Sequence, residues 1–303
     1  MTEEERTKRT YLLRTMCAYL DAAVYQDPNR LKLAKNVRAT YNGEEVAVGD
    51  NEIWRQVLRF PSRQTFVDPV TMNAVFYGTA TNEAILDNGS HGWPKPQSEF
   101  KWQNIRDYNR DVKRWWHYLL RLQVNQAGEI DEIEEVTVEN NLIHFNTSPA
   151  DYPLRNLDFD IPVPVDQRME RDELIRVVES YFDAVAKIID PKDSLVHPDC
   201  QRIELGDICT NNKAGYQSVS ARFDDPTFFY WNINNRRYPV VDPALGVVCA
   251  FVEFERILPQ ASPGWICSEA FKIQDGLYRE ILCTHKPMCE HGGWKGVDRY
   301  FNK

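Results

Sequence analysis

Hydrophobic positions along the chain switch between helical and strand-like spacing, and they do so twice in the same order. Over residues 7–23, Leu12, Leu13, Met16, Tyr19, Leu20 and Ala23 recur three and four apart, which predicts an amphipathic helix. Asp27-Pro28 ends it, because proline has no amide to continue the helix, and residues 31–33 begin a short second turn. Residues 35–41 read as a strand closed by Asn42-Gly43, and Asp50 stands where it can cap a short helix through Trp54 to Leu58. Residues 63–68 and 74–81 form one strand pair, and residues 113–124 and 130–138 form another across Gln126-Ala127-Gly128. The stretch 87–102 has no period and predicts a long loop, of the kind used as a lid or interface arm. Residues 147–166 carry Pro149, Pro153, Pro162 and Pro164 among polar neighbours and read as an extended linker or strap.

After that linker the pattern returns. Ala18-Tyr19-Leu20-Asp21-Ala22-Ala23 is matched by Ser180-Tyr181-Phe182-Asp183-Ala184-Val185. Phe66-Val67-Asp68-Pro69 is matched by Val240-Val241-Asp242-Pro243, each before an apolar run. Leu122-Gln123-Val124, ahead of Gly128, is matched by Phe271-Lys272-Ile273, ahead of Gly276. Three matches in one order predict a tandem duplication, with units at residues 1–160 and 166–303. The expected fold class is α+β: helices packed on a curved, mostly antiparallel sheet, twice.

Composition narrows the function. The chain has 303 residues, 43% hydrophobic and 27% charged, with a formal net charge of −9. A surplus of negative charge argues against phosphate-backbone binding, so no nucleic-acid partner is expected. No apolar run reaches membrane-spanning length, and Met1-Thr2-Glu3-Glu4-Glu5-Arg6 lacks a signal peptide's order, so no membrane partner and a cytoplasmic location are expected. Seven cysteines, an odd and uneven set, then read as reduced thiols. Eight tryptophans and 14 tyrosines suit walls around a flat ligand, and equally suit filling between a curved sheet and its helices.

Two stretches of the second half concentrate ionisable groups on strand-like sequence: His197-Pro198-Asp199-Cys200-Gln201-Arg202-Ile203-Glu204-Leu205-Gly206, and Arg236-Arg237-Tyr238-Pro239-Val240-Val241-Asp242 before Gly246-Val247-Val248. Charges on a half-buried strand must be paired or poised, since burying them alone costs several kcal/mol. By two-residue alternation Arg202 and Glu204 share a face, and Glu204 is expected to pair with Arg236 or Arg237. These stretches resemble the C-terminal module of a mostly fungal family within the nuclear-transport-factor-2-like, or SnoaL-like, superfamily of cone-shaped α+β folds. The family pattern has Asn where this chain has Leu205, which removes a turn contact. The resemblance implies cone-shaped units paired sheet to sheet, here by the two halves within one chain, with self-association into a homo-oligomer left open. It also implies a cofactor-independent lyase or isomerase on a bulky aromatic, polyketide-like or terpenoid-like small molecule, and so a small hydrophobic or aromatic ligand as partner. The alternative is a non-catalytic small-molecule-binding protein or dimer scaffold whose cones are filled by side chains.

In the second half, His197, Tyr181, Asp183, Arg202, Glu204 and Arg237 are the candidate catalytic residues. A histidine oriented by a carboxylate can move a proton, and Tyr181 can hydrogen-bond a carbonyl whose charge grows. His197 before Pro198 has a plainer reading as a loop cap. In the first half, Arg114-Trp115-Trp116-His117-Tyr118-Leu119-Leu120-Arg121 puts Trp115 and His117 on one face. His117 is the candidate base there, with Trp115, Tyr19, Asp21, Tyr41 and Trp54 as candidate substrate-binding neighbours. The terminal run Cys283, His285, Cys289, His291 has metal-ligating residue types but matches no common zinc spacing, so no metal and no cofactor are expected. No phosphate-binding glycine loop and no Gly-x-Ser-x-Gly elbow occurs.

Overall fold

The computed structural model describes residues 2–83, 114–139, 158–211, 218–219, 231–256 and 264–287. The expected loop at 87–102 lies outside them, as do Cys289 and His291. Helix α1 (Glu3–Tyr25) runs a turn longer at its start than the apolar spacing predicts, because Thr2 and Glu5 form a capping box. After a 3₁₀ turn at Pro28–Arg30 come β1 (Leu33–Tyr41), β2 (Glu44–Val46), α2 (Glu52–Gln56), β3 (Arg63–Asp68), β4 (Asn73–Thr81), β5 (Trp115–Val124) and β6 (Ile130–Glu139). The α2 cap is Asn51, whose side chain accepts from the Trp54 amide, rather than Asp50. Helix α3 (Arg171–Val185) opens the second unit, followed by β7 (Val196–Glu204), β8 (Asp207–Ile208), β9 (Trp231–Asp242), β10 (Val247–Arg256), β11 (Trp265–Gln274) and β12 (Leu277–Pro287).

The two sheets share one topology. The first has the order β2-β1-β6-β5-β4-β3 and the second β8-β7-β12-β11-β10-β9, with a single parallel pair in each, β1 with β6 and β7 with β12. Irregularities also coincide: a register shift separates Gln123 from Val124 in the first hairpin and Lys272 from Ile273 in the second. Following register outward gives a residue-by-residue correspondence in which Tyr118 matches Cys267, Glu135 matches Cys283, Thr137 matches His285 and Tyr41 matches Glu204. The fold is therefore α+β, two tandem units of helix packed on a six-stranded mixed sheet.

The sheets meet face to face. Phe66, Val75, Tyr77, Leu119 and Val136 of the first pack with Ile203, Val240, Val247, Phe251 and Leu282 of the second, all 5% exposed or less. The opposite faces of the same strands pack against α1 and α3 in two separate cores. Central strands are covered on both faces, so every residue of β4 is buried. Tyr77 donates to or accepts from Ser268 across the interface at 2.6 Å. Phe159 of the linker is completely buried against Phe66, with ring centroids 5.1 Å apart.

Corresponding helices then reach across to corresponding strands. Arg9 of α1 grips Asp242 at the end of β9, its Nη1 2.6 Å from Oδ2. Arg171 of α3 grips Asp68 at the end of β3, its Nη2 2.7 Å from Oδ2. Both aspartates are buried, at 1% and 0% exposure, where an unpaired carboxylate would cost several kcal/mol. This reciprocal exchange is the contact an isologous dimer makes, here within one chain.

The turn after β7 shows what Leu205 changes. Asn42-Gly43 and Leu205-Gly206 occupy equivalent tight turns with positive φ at both residues (54° and 86°; 45° and 86°). In the first unit the Asn42 side-chain Oδ1 also accepts from the Thr137 amide at 2.9 Å. Leucine supplies no such acceptor and tolerates that backbone less well than asparagine, as expected for the substitution.

Candidate functional site

The second unit's cone holds a cavity of about 110 Å³ between α3 and its sheet, lined by Tyr181, Arg202, Glu204, Phe254, Trp265, Cys267, Cys283 and His285. Its floor is built by alternation. On β7 the side chains of Arg202 and Glu204 point the same way, and Arg202 Nε and Nη2 both donate to Glu204 Oε1 (2.8 and 2.6 Å). Arg202 Nη1 donates to the Tyr181 hydroxyl of α3 at 2.5 Å, and Nη2 lies 2.7 Å from Glu269 Oε1. Cys283 and His285 alternate on β12, opposite Cys267 on β11, with the two sulfurs 3.5 Å apart. The His285 ring stands edge-on to Trp265, centroids 4.9 Å apart.

Burial sets the protonation states here. Burial works against the Arg202 charge, but Glu204 and Glu269 outweigh it and hold the guanidinium more firmly protonated than usual. Tyr181 is pushed well up by burial, with Arg202 opposing, so it keeps its proton and serves as a donor. Burial lowers His285 below the ordinary histidine range, with Glu204 opposing, so its imidazole is neutral near pH 7. Cys267 and Cys283 are pushed up by burial and stand as thiols.

Among the described residues, the first unit's cone is filled instead. Where the second unit has Cys267, the first has Tyr118, and Tyr19, Trp54, Phe60, Phe76, Trp116 and Tyr118 are all 2% exposed or less. Trp54 Nε1 donates to Tyr19 at 3.2 Å, with the rings near perpendicular at 87°. Glu135, in the place of Cys283, accepts from Tyr118 and Asn51, both at 2.5 Å. Burial, moderated by those donors, raises Glu135 to about 7. Glu135 with its two donors and Tyr19 with Trp54 are bonded within the interior that the described residues pack.

Of the residues singled out in the sequence, the structure brings Tyr181, Arg202 and Glu204 together in the cavity. It does not bring the others there. His117 is 2% exposed but sits on the face of β5 toward the other sheet, with Leu119 and Arg121, and away from Tyr19 and Trp54. Burial lowers it to about 3, so its ring is neutral. Trp115 shares that face, its Nε1 donating to Glu83 at 3.1 Å. Asp21 is exposed on α1, and the Tyr41 hydroxyl is engaged with Thr137 Oγ1 at 2.7 Å. His197 lies near the start of β7, its Nδ1 accepting from the Asp199 amide two residues on at 3.1 Å. Asp183 is occupied by Arg236 of β9 at 2.7 Å.

The expected Glu204 pairing with Arg236 or Arg237 is not made; Arg202, two residues away on the same face, takes that place. Arg237 instead crosses the interface to Glu134, Nη2 to Oε2 2.8 Å, and Glu134 also receives Arg121 at 2.5 Å. Burial would raise Glu134, but Arg237 and Arg121 together bring it down to about 2.

His285, Cys267, Cys283, Glu269 and Trp265 belong to the site and are not found by treating residues 283–291 as a terminal strap. Strand alternation carried past Cys283 would have put Cys283 and His285 on the cone face with Ile281.

A family described as "Domain of unknown function (DUF8021)" matches residues 167–283, under half of the chain. No curated protein matches. Among solved structures, AusH from Aspergillus nidulans is 17% identical, covering 44% of this chain and 97% of its own, with a TM-score of 0.32. A putative polyketide cyclase from Xanthomonas campestris is 16% identical, covering 38% of this chain and 92% of its own, with a TM-score of 0.29. A de novo designed NTF2 fold protein, NT-9, is 19% identical, covering 39% and 87%, with a TM-score of 0.26. The chain is similar to these in part of its length.

Proposed function

We propose that the second unit is a small-molecule site for acid–base chemistry of the lyase or isomerase class, and that the first unit is its structural partner within a tandem duplication. The observation that carries this reading is the contrast between the cones: one packed with aromatic side chains, the other hollow with Tyr181, Arg202, Glu204 and His285 around its floor. His285 would take a proton from carbon next to a carbonyl. Tyr181, its oxygen held by Arg202, would donate a hydrogen bond to that carbonyl as negative charge develops on it. Glu204 would orient Arg202 and balance its charge. Return of the proton to another carbon gives isomerisation, and loss of a neighbouring hydroxyl gives dehydration.

The cavity refines the substrate. At about 110 Å³ it is smaller than the roughly 150 Å³ void that holds benzene in an engineered core, so it would accept the reacting end of a larger aromatic or polyketide-like molecule.

Exchange of α-protons in deuterium oxide, followed by proton NMR on a panel of small enolisable ketones and phenols, tests the reading without needing the natural substrate. Wild type should exceed buffer, and His285→Ala and Tyr181→Phe should each lose roughly two to four powers of ten. A wild-type rate equal to buffer across the panel, or full rate in His285→Ala, sinks it.

A further inference from the structure

Two thiols meet in the wall of the same cavity. Cys267 of β11 and Cys283 of β12 are 3% and 1% exposed, both line the cavity, and their sulfurs are 3.5 Å apart. Strand register explains the approach. Cys267 stands opposite His285 and Cys283 opposite Glu269, so the two cysteines are diagonal neighbours on the cone face of an antiparallel pair. A disulfide holds its sulfurs about 2.05 Å apart, so the gap to close is about 1.5 Å. Diagonal positions stand about 7–8 Å apart, against a usual disulfide span of about 4.4–6.8 Å between Cα atoms, so closing that gap takes a small movement of the hairpin. A bond made at that reach is readily reduced again.

The surroundings supply what the oxidation needs. The cavity of about 110 Å³ is several times the roughly 10–15 Å³ that a water molecule requires, so hydrogen peroxide has room beside both sulfurs. The Cys283 sulfur and a His285 nitrogen lie within 4.8 Å of each other, and that imidazole is neutral near pH 7 and able to take up a proton. Burial raises both thiols, with Arg202 opposing, so thiolate is scarce and the oxidation is slow. Cys249 is buried in the sheet–sheet core and Cys17 is exposed on α1, which makes them internal controls.

We propose that Cys267 and Cys283 form a redox-sensitive modification site, which hydroperoxides convert to a reversible disulfide in the cavity wall. Cys283, beside His285, attacks first. A sulfur–oxygen bond forms, the peroxide O–O bond breaks, and the thiol's proton leaves with the departing hydroxide as water. Cys267 then attacks the Cys283 sulfur; the S–S bond forms, the S–O bond breaks and a second water leaves. Two thiols are oxidised, one peroxide is reduced, and the sum is one disulfide and two waters. The bond ties β11 to β12 beside His285. The inference does not depend on the acid–base reading, which concerns the reduced protein.

Full-length protein, fully reduced, should be treated with hydrogen peroxide, blocked with N-ethylmaleimide while unfolded, and mapped as tryptic peptides without reduction. Cys283 and Cys289 share one tryptic peptide because Pro287 follows Lys286, so fragment spectra and a Cys289→Ser control place the bond. About half of the molecules or more should carry a Cys267–Cys283 cross-link that dithiothreitol reverses, while Cys249 stays a thiol. Cys267→Ser and Cys283→Ser should each lose the cross-link, and Cys289→Ser should keep it. The wild-type map decides the matter even where a serine variant fails to fold. Cys267 and Cys283 both still open to maleimide once Cys17 is fully oxidised overturns the proposal. So does conversion of either to sulfinic or sulfonic acid without a cross-link, or a cross-link that runs to Cys289 instead. The proton-exchange assay is run under reductant, so its failure and the failure of this site are separate results.

Discussion

Replacing Glu135 with glutamine tests whether the first cone is a closed, self-satisfied interior. Glu135 is 1% exposed, and its folded form holds a proton up to about 7 against an ordinary 4.5. Below 4.5 the carboxyl is neutral whether folded or not, so its stabilising protonated state is fully present. As pH rises, the unfolded chain ionises first and the folded state loses stability, until the folded group also ionises near 7. Raising a carboxyl from 4.5 to about 7 corresponds to roughly 3 kcal/mol at high pH. Most of that, about 2.5 kcal/mol, falls between about pH 5 and about pH 8.5. Glu135→Gln keeps the size and a hydrogen-bonding oxygen for Tyr118 or Asn51 but cannot ionise. The stability difference between variant and wild type, from urea unfolding at both pH values, should therefore move by 2–3 kcal/mol toward the variant at the higher pH, an order-of-magnitude expectation from the same linkage. A difference that stays constant with pH would show Glu135 ionising normally, and so reached by water.

The interface offers further tests. Arg171→Ala leaves Asp68 buried without its cation and Arg9→Ala does the same to Asp242; each should cost about 2–4 kcal/mol in denaturant unfolding, and a cost under about 0.5 kcal/mol would remove the reciprocal grip as a stabilising element. Arg237→Ala should cost about 3–5 kcal/mol, since Glu134 then keeps Arg121 alone among its buried cations. The folded Glu134 carboxyl lies near 2, below the ordinary 4.5, so its contribution is present above 4.5 and lost as pH falls through about 2. Acid unfolding should start at higher pH in Arg237→Ala than in wild type. His197→Ala should leave proton exchange and stability nearly unchanged, because that ring bonds the nearby Asp199 amide and does not line the cavity; a loss of ten-fold or more would return it to the site.

The repeat of one topology was legible because corresponding residues keep corresponding jobs. Tyr19 and Tyr181 both point from a helix into a cone, and Asp68 and Asp242 both end a strand and bind the other unit's helix. Arg202, Glu204 and Tyr181 were legible as a group, since alternation fixes a shared face and a buried charge requires partners. Partner choice was not legible. Arg237 lies on the sheet–sheet side and meets Glu134, more than 100 residues earlier, a pairing set by how the units dock. His117 misled for the same reason. Its face of β5 is covered by the second sheet, so both faces of that strand are buried and alternation gives no sign of which one lines a cone. The hollow itself depends on Cys267 standing where the first unit has Tyr118, a difference in volume that appears only when strand registers are aligned.

That one difference gives the most direct test of the account. Phenol can be titrated into wild type and Cys267→Tyr, which restores the first unit's plug, with binding followed by heteronuclear NMR. Saturable shifts are expected in wild type at Trp265, Cys267 and His285, none at Trp54 or Trp116, with their loss in Cys267→Tyr while the fold is retained. Shifts centred on the first unit, or wild-type affinity persisting in Cys267→Tyr, would contradict a site confined to the second cone.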